Sequence, residues 1–134
     1  MCGIVGYIKG NKISLQSQIA SIKHRGPDAS GDCYYHFENR YVGLGHTRLS
    51  IIDLDQHANQ PFASINNRYV IVYNGEIYNF IELKESLILK GFKFRTNSDT
   101  EVLLTAYEYY GSKVVNYLDG MFAFCILDIK TQHP

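Results

Sequence analysis

The apolar positions of this chain fall into short segments whose period alternates between two and about 3.6, the pattern of strands interleaved with helices. Gly3 to Ile8 (GIVGYI) is short, β-branched and interrupted by glycine, which predicts a buried strand beginning at the terminus. From Ser14, available as an N-cap, Leu15, Ile19 and Ile22 recur at helical spacing, so a helix of about two to three turns is expected to reach Lys23-His24. His24 to Gly31 (HRGPDASG) concentrates glycine and proline and predicts a turn-rich loop. Asp32 to Phe37 and Tyr41 to Thr47 predict two strands of a hairpin joined across Glu38-Asn39-Arg40. The second strand leads into Arg48-Leu49-Ser50-Ile51-Ile52, and the polar, non-periodic stretch from Asp53 to Pro61 predicts a loop.

Phe62 to Ile65 and Arg68 to Tyr73 flank Asn66-Asn67, a two-residue turn suited to positive φ, and so predict a second hairpin. The strand ends on Tyr73-Asn74-Gly75-Glu76, where Asn-Gly reads first as a tight turn. Asn79 with Glu82 predicts a cap for a helix carrying Phe80, Leu83 and Leu87 and closed by Lys90-Gly91. Phe92 to Phe94 predicts a short strand. Ser98-Asp99-Thr100-Glu101 forms a capping box ahead of a helix whose stripe is Val102, Leu103, Ala106, Tyr107 and Tyr110. A shorter helix is expected over about Ser112 to Leu118, ending at Gly120, followed by the apolar run Met121 to Asp128, expected as a strand buried on both faces. Such a strand calls for a return partner, so the sequence is expected to be a piece whose sheet is completed by further polypeptide or by another chain.

Length and charge narrow the class. At 134 residues the chain is one domain or a part of one, long enough to remove about two-thirds of its unfolded surface from water. Thirteen basic and thirteen acidic residues cancel and form no run of one sign, which argues against nucleic acid and anionic membranes as partners. The longest apolar runs fall far short of a membrane span and the N-terminus lacks the features of a signal peptide, so a soluble, cytoplasmic protein is expected. Cys2, Cys33 and Cys125 are an odd, widely spaced set without metal-ligand spacing; reduced thiols and no metal site are expected. Eleven Tyr and seven Phe with no Trp point to aromatic-rich packing.

Five positions could carry chemistry. If Met1 is removed, Cys2 combines a thiol with a free α-amine, a nucleophile with its own base attached; alternatively it is a small hydrophobe entering a strand. Arg48 lies among strand residues, where a guanidinium is costly unless it meets a carboxylate; an edge arginine facing water is the other reading. Asn74-Gly75 can present an amide donor and an approachable backbone N–H to one point, as an oxyanion requires, or serve only as a turn. Asp99, in a first helical turn, either complements the helix dipole or binds a ligand ammonium.

Taken in order, MCGIVG at 1–6, HRGPD at 24–28, Arg48-Leu49-Ser50-Ile51, YNGEIYN at 73–79, Ser98-Asp99-Thr100-Glu101 and GMFAF at 120–124 resemble the glutaminase domain of glutamine-hydrolysing asparagine synthetases. These are class II glutamine amidotransferases, within the N-terminal-nucleophile hydrolases. The resemblance covers residues 1–134 as one partial amidotransferase domain, lacking C-terminal strands and the ATP-dependent synthetase domain. It implies an α+β fold, a four-layer αββα sandwich of antiparallel sheets, incomplete at its C-terminus. It further implies Cys2 as nucleophile, Asn74 and Gly75 as oxyanion hole, and Arg48 and Asp99 on the α-carboxylate and α-ammonium of glutamine. Glu76 would hold the polar end of the substrate, with Leu49 and Ile51 lining the pocket. Glutamine hydrolysis would need no cofactor, while ATP and Mg would act only in the synthetase domain. The implied partners are glutamine and a synthetase domain or a chain completing the sheet, a second copy included. The alternative is a non-catalytic remnant that binds glutamine or pairs with a partner.

Overall fold

The computed structural model describes residues 2–50 and 58–133. Among the described residues, six strands form two three-stranded antiparallel sheets. The first sheet contains β1 (Gly3–Lys9), β2 (Ala29–Phe37) and β3 (Arg40–Arg48) in the order β1-β3-β2. The second contains β4 (Phe62–Ala63), β5 (Tyr69–Ile77) and β6 (Gly120–Asp128) in the order β4-β5-β6. Helix α1 (Gln16–Ser21) lies against β1 and β3; α3 (Asp99–Tyr110) lies against β5 with α2 (Phe80–Leu89) beside it. Since β1 and β3 also meet β5, the layers run helix, sheet, sheet, helix, as the α+β sandwich predicted from the sequence requires.

The period of two in β5 divides the core. Val70 and Val72 face the first sheet and join Val42, Leu44, Phe37 and Leu127 between the sheets. Tyr69, Ile71, Tyr73 and Ile77 face the helices and join Leu83, Leu87, Val102, Leu103 and Leu104. The first two turns of α3 are buried all round, because β5, α2 and the 3-10 segment Gly111–Tyr117 surround them. Ser98 caps this helix as predicted, accepting from Glu101 N at 3.3 Å.

Several local expectations change in three dimensions. The first hairpin turns over Glu38-Asn39 alone, since Phe37 pairs with Arg40. In the second, pairing stops at Ala63 and Ser64 O closes the turn with Asn67 N. Asn79 makes no helix cap; its side chain accepts from Asp119 N and donates to Tyr117 O, tying the start of α2 to the approach of β6. The Glu101 carboxylate turns to the N–H groups of Arg95 and Thr96 and the Thr96 hydroxyl, bracing the preceding loop instead of closing a box. Phe92 and Phe94 are not in a strand; their rings pack on the helical side of the core without a backbone ladder. β6 is buried only over Ile126–Asp128, whereas Met121 is 61% exposed.

Candidate active site

Three chain segments converge: the start of β1, the end of β3 and residues 74–75 within β5. The HRGPD block at 24–28 joins two of them. Pro27 bridges to Arg48, the Asp28 N–H donates to Arg48 O at 3.0 Å, and the Asp28 carboxylate accepts from Ser50 N at 2.8 Å. Arg25 Nε donates to Cys2 O at 3.0 Å. Gly26 allows this approach: a Cβ there would lie 2.5 Å from the Thr47 carbonyl carbon and oxygen. The block thus aligns the residue before β1 with the residues after β3. In consequence the Cys2 thiol lies beside the Leu49 peptide, accepting from Leu49 N at 3.3 Å and donating to Leu49 O at 3.7 Å.

The third segment is Asn74-Gly75. It is not a turn: both residues lie within β5, opposite Ala123 and Phe122 of β6. Gly75 is required by that pairing, because a Cβ would overlap the Met121 carbonyl oxygen and lie 2.7 Å from Phe122 Cα. Cys2, Arg48, Leu49, Asn74, Gly75, Glu76 and Asp99 all line one cavity of about 190 Å³. Seven of the eight residues singled out from the sequence are therefore brought together; the eighth, Ile51, lies outside the described residues.

The polar groups of the cavity are held from behind. Arg48, 8% exposed, donates through Nη1 to Asn59 Oδ1 at 2.6 Å. Asp99, 5% exposed, accepts from the Tyr73 hydroxyl at 2.7 Å and Ile77 N at 3.3 Å. Burial pushes the Asp99 carboxyl above an ordinary aspartate, and those two donors partly offset the shift. A cation entering beside Asp99 would restore its charged form. Burial likewise pushes the Tyr73 phenol up, reinforced by Asp99, Glu76 and Cys2, so this hydroxyl stays a neutral donor to Asp99. Asn74 Oδ1 is buried with no partner among the described residues. Glu76 stands exposed at the rim.

Sequence reasoning missed four contributors. Gln60 lines the cavity, its Oε1 accepting from Tyr73 N at 2.6 Å and its Nε2 donating to Thr100 Oγ1 at 3.2 Å. Asn59 orients Arg48, Tyr73 orients Asp99, and His46 contacts Tyr73 O at 3.1 Å. Gln60 and Asn59 fall in a polar loop that has no periodicity to mark them. Met121, at the cavity edge, was visible only as part of an apolar run. Among the described residues no group of three His, Cys, Asp or Glu side chains could hold a metal ion, and no helix is long and apolar enough to cross a membrane.

A family profile described as a glutamine amidotransferase domain matches residues 1–134. The chain is 44% identical over 141 residues to asparagine synthetase (glutamine-hydrolyzing) 1 of Bacillus subtilis, covering 99% of this chain and 21% of that protein. It is 42% identical over 141 residues to asparagine synthetase (glutamine-hydrolyzing) 2 of Oryza sativa subsp. japonica, covering 97% of this chain and 22% of that protein. The chain thus spans 21–22% of the length of these curated relatives. Among solved structures, a glutamine phosphoribosylpyrophosphate amidotransferase from B. subtilis, complexed with ADP and GMP, superposes with a TM-score of 0.75 at 23% identity. That match covers 96% of this chain and 35% of the other, and at this identity the likeness is one of fold.

Proposed function

The chain belongs to the glutamine amidotransferase domain family, and from that premise we propose that it hydrolyses glutamine to glutamate and ammonia with Cys2 as nucleophile. The observation that carries the reading is the single cavity gathering a thiol, a buried guanidinium, a buried carboxylate and the Asn74-Gly75 pair. Glutamine presents the complement of that set: an α-carboxylate for Arg48, an α-ammonium for Asp99 and a side-chain amide for the thiol. Leu49 forms the wall beside the sulfur, and Glu76 meets the polar end of the substrate at the rim.

Removal of Met1 exposes the Cys2 α-amine. The amine takes the Sγ proton, directly or through water, and Sγ attacks the amide carbon of glutamine. The carbonyl oxygen becomes an oxyanion, received by the Asn74 side-chain amide and the Gly75 N–H; one such donor is worth about 2.7–4 kcal/mol in the transition state. Collapse of the intermediate breaks the C–N bond, and the ammonium formed on Cys2 returns its proton to the departing nitrogen. A γ-glutamyl thioester remains. Water, deprotonated by the same amine, attacks this thioester, and glutamate leaves with the thiol restored. Cysteine, amine and water balance the reaction without a cofactor.

The ammonia would pass to a synthetase domain that makes an amide using ATP and Mg, carried by a longer protein or a partner; residues 1–134 are then part of its amidotransferase domain, and asparagine the product suggested by the relatives' names. The test is glutamate and ammonia release from glutamine by the Met1-free chain. Equimolar release that disappears in Cys2→Ala supports the reading. A folded, Met1-free chain that releases neither, or a Cys2→Ala variant as active as its parent, refutes it.

A further inference from the structure

The ladder between β4 and β5 pairs Phe62 with Ile71 and goes no further toward the cavity. Continued, it would set residue 60 opposite Tyr73. It does not continue, and on this side Tyr73, whose carbonyl is joined to Asn74, meets two side chains in place of a strand. Gln60 Oε1 accepts the Tyr73 N–H at 2.6 Å, and His46 Nε2 lies 3.1 Å from Tyr73 O. Because a carbonyl can only accept, Nε2 must carry the imidazole proton. We propose that His46, acting with Gln60, is a positioning residue for the oxyanion hole: Gln60 holds the Val72-Tyr73 peptide and His46 the Tyr73-Asn74 peptide, and by fixing the backbone on both sides of Tyr73 they set the direction in which Asn74 and Gly75 present their donors. This inference rests on the functional reading above.

The surroundings of His46 favour this role over space filling. The ring is fully buried on β3, opposite Ile4 and Gly31 in the first sheet, and it crosses the inter-sheet layer to reach β5. Its Nδ1 is buried without a partner among the described residues. An unpaired buried acceptor is unfavourable, so an apolar side chain would fill the same space at lower cost. What the imidazole adds is one donor aimed at Tyr73 O. Burial, with the nearby Arg48 charge, pushes its pKa down to about 4, so the ring remains neutral at physiological pH and its donor does not depend on a titration there. The same tyrosine reaches Asp99 through its hydroxyl, which links the brace to the ammonium side of the cavity.

The test compares His46→Leu, which removes the donor, with His46→Gln, whose amide nitrogen can reach the place of Nε2. Steady-state glutamine hydrolysis is measured beside thermal unfolding of the Met1-free chain, and ring-nitrogen NMR of His46 is recorded in the unsubstituted chain. The expected result is a kcat about tenfold lower in His46→Leu, with KM within about twofold of the parent and most of kcat restored in His46→Gln, because a misaimed hole weakens the transition state and not the binding of substrate. NMR should show protonated Nε2 and bare Nδ1, a readout that stands even where a variant fails to fold. A folded His46→Leu with parental kcat, a His46→Gln as impaired as His46→Leu, or an Nδ1–H ring overturns the inference. An inactive unsubstituted chain refutes the functional reading itself, and is distinguishable because no variant is then involved.

Discussion

Replacing Asp99 by asparagine should separate binding from stability. The carboxylate is 5% exposed and accepts from the Tyr73 hydroxyl at 2.7 Å and Ile77 N at 3.3 Å. The substituted amide could accept both donors through its own oxygen, so the scaffold should survive. What disappears is the charge that the proposed function sets against the α-ammonium of glutamine. A hydrogen bond to a charged group contributes about 1.5–3 kcal/mol, which is about 10- to 150-fold in affinity. Stability should move the other way. The folded-state carboxyl titrates above an ordinary aspartate because of burial. A group raised in this way favours the folded state below its unfolded pKa, and that contribution is lost as pH rises through the folded one. At neutral pH the uncharged amide removes this loss, and the unfolding temperature should be equal to or above that of the parent. Calorimetric titration of glutamine into the Cys2→Ala background gives Kd without turnover, and glutamine lacking its α-amine provides the control. Asp99→Asn should weaken glutamine by the stated factor and leave the amine-free ligand unchanged. Equal losses for both ligands, or unchanged affinity for glutamine, would refute the assignment of Asp99 to the ammonium.

Three further outcomes follow from individual contacts. Gly75→Ala places a methyl against the Met121 carbonyl and Phe122 Cα, backbone atoms that cannot swing aside; overpacking of about 1–3 kcal/mol is expected in urea unfolding, with loss of most glutamine hydrolysis. Leu103→Ala, at a fully buried site between α3 and its neighbours, should cost about 2–5 kcal/mol by the same measurement without changing KM. Asp128 is held down at about 2 by the two hydrogen bonds from Arg68, at 3.1 and 2.7 Å, with backbone donors at Lys130 and Thr131. A depressed carboxylate contributes stability above its unfolded pKa and loses it as pH falls toward the folded value, so melting should weaken between about pH 4 and pH 2. Asp128→Asn should flatten part of that fall, and identical melting curves of the two proteins over this range would contradict it.

What is legible in the sequence has short-range causes. The Ser98 cap, the β2–β3 hairpin and the apolar spacing of α2 and α3 depend on residues a few positions apart, and the structure keeps them. The elements that differ are decided by distant partners. Asn74-Gly75 has the composition of a turn, yet pairing with Phe122 and Ala123, nearly fifty positions on, holds it extended. Asn79 resembles a cap but is claimed by Tyr117 and Asp119. Phe92 and Phe94 have strand composition, but their rings find a place in the helical core, and among the described residues their backbone joins no ladder. At the site, residues that would touch substrate carry recognisable chemistry, whereas those that hold them do not. Gln60, Asn59 and His46 act through contacts to Tyr73, Arg48 and Tyr73, which lie 13, 11 and 27 positions away, and no local pattern encodes such contacts. The HRGPD block is intermediate: its glycine and proline announce a turn, but its role in aligning Cys2 with Leu49 emerges only from the fold.

The central claim is that Cys2, as the first residue, is the nucleophile of a glutamine-specific site. Intact-mass measurement before and after treatment with a glutamine analogue bearing an electrophilic carbon in place of the side-chain amide tests this most directly, because it reports Met1 removal and thiol reactivity together. A chain lacking Met1 that gains one adduct, mapped to Cys2 and suppressed by excess glutamine, is the predicted result. No adduct on a folded, Met1-free chain, or labelling of Cys33 or Cys125 instead, would contradict it.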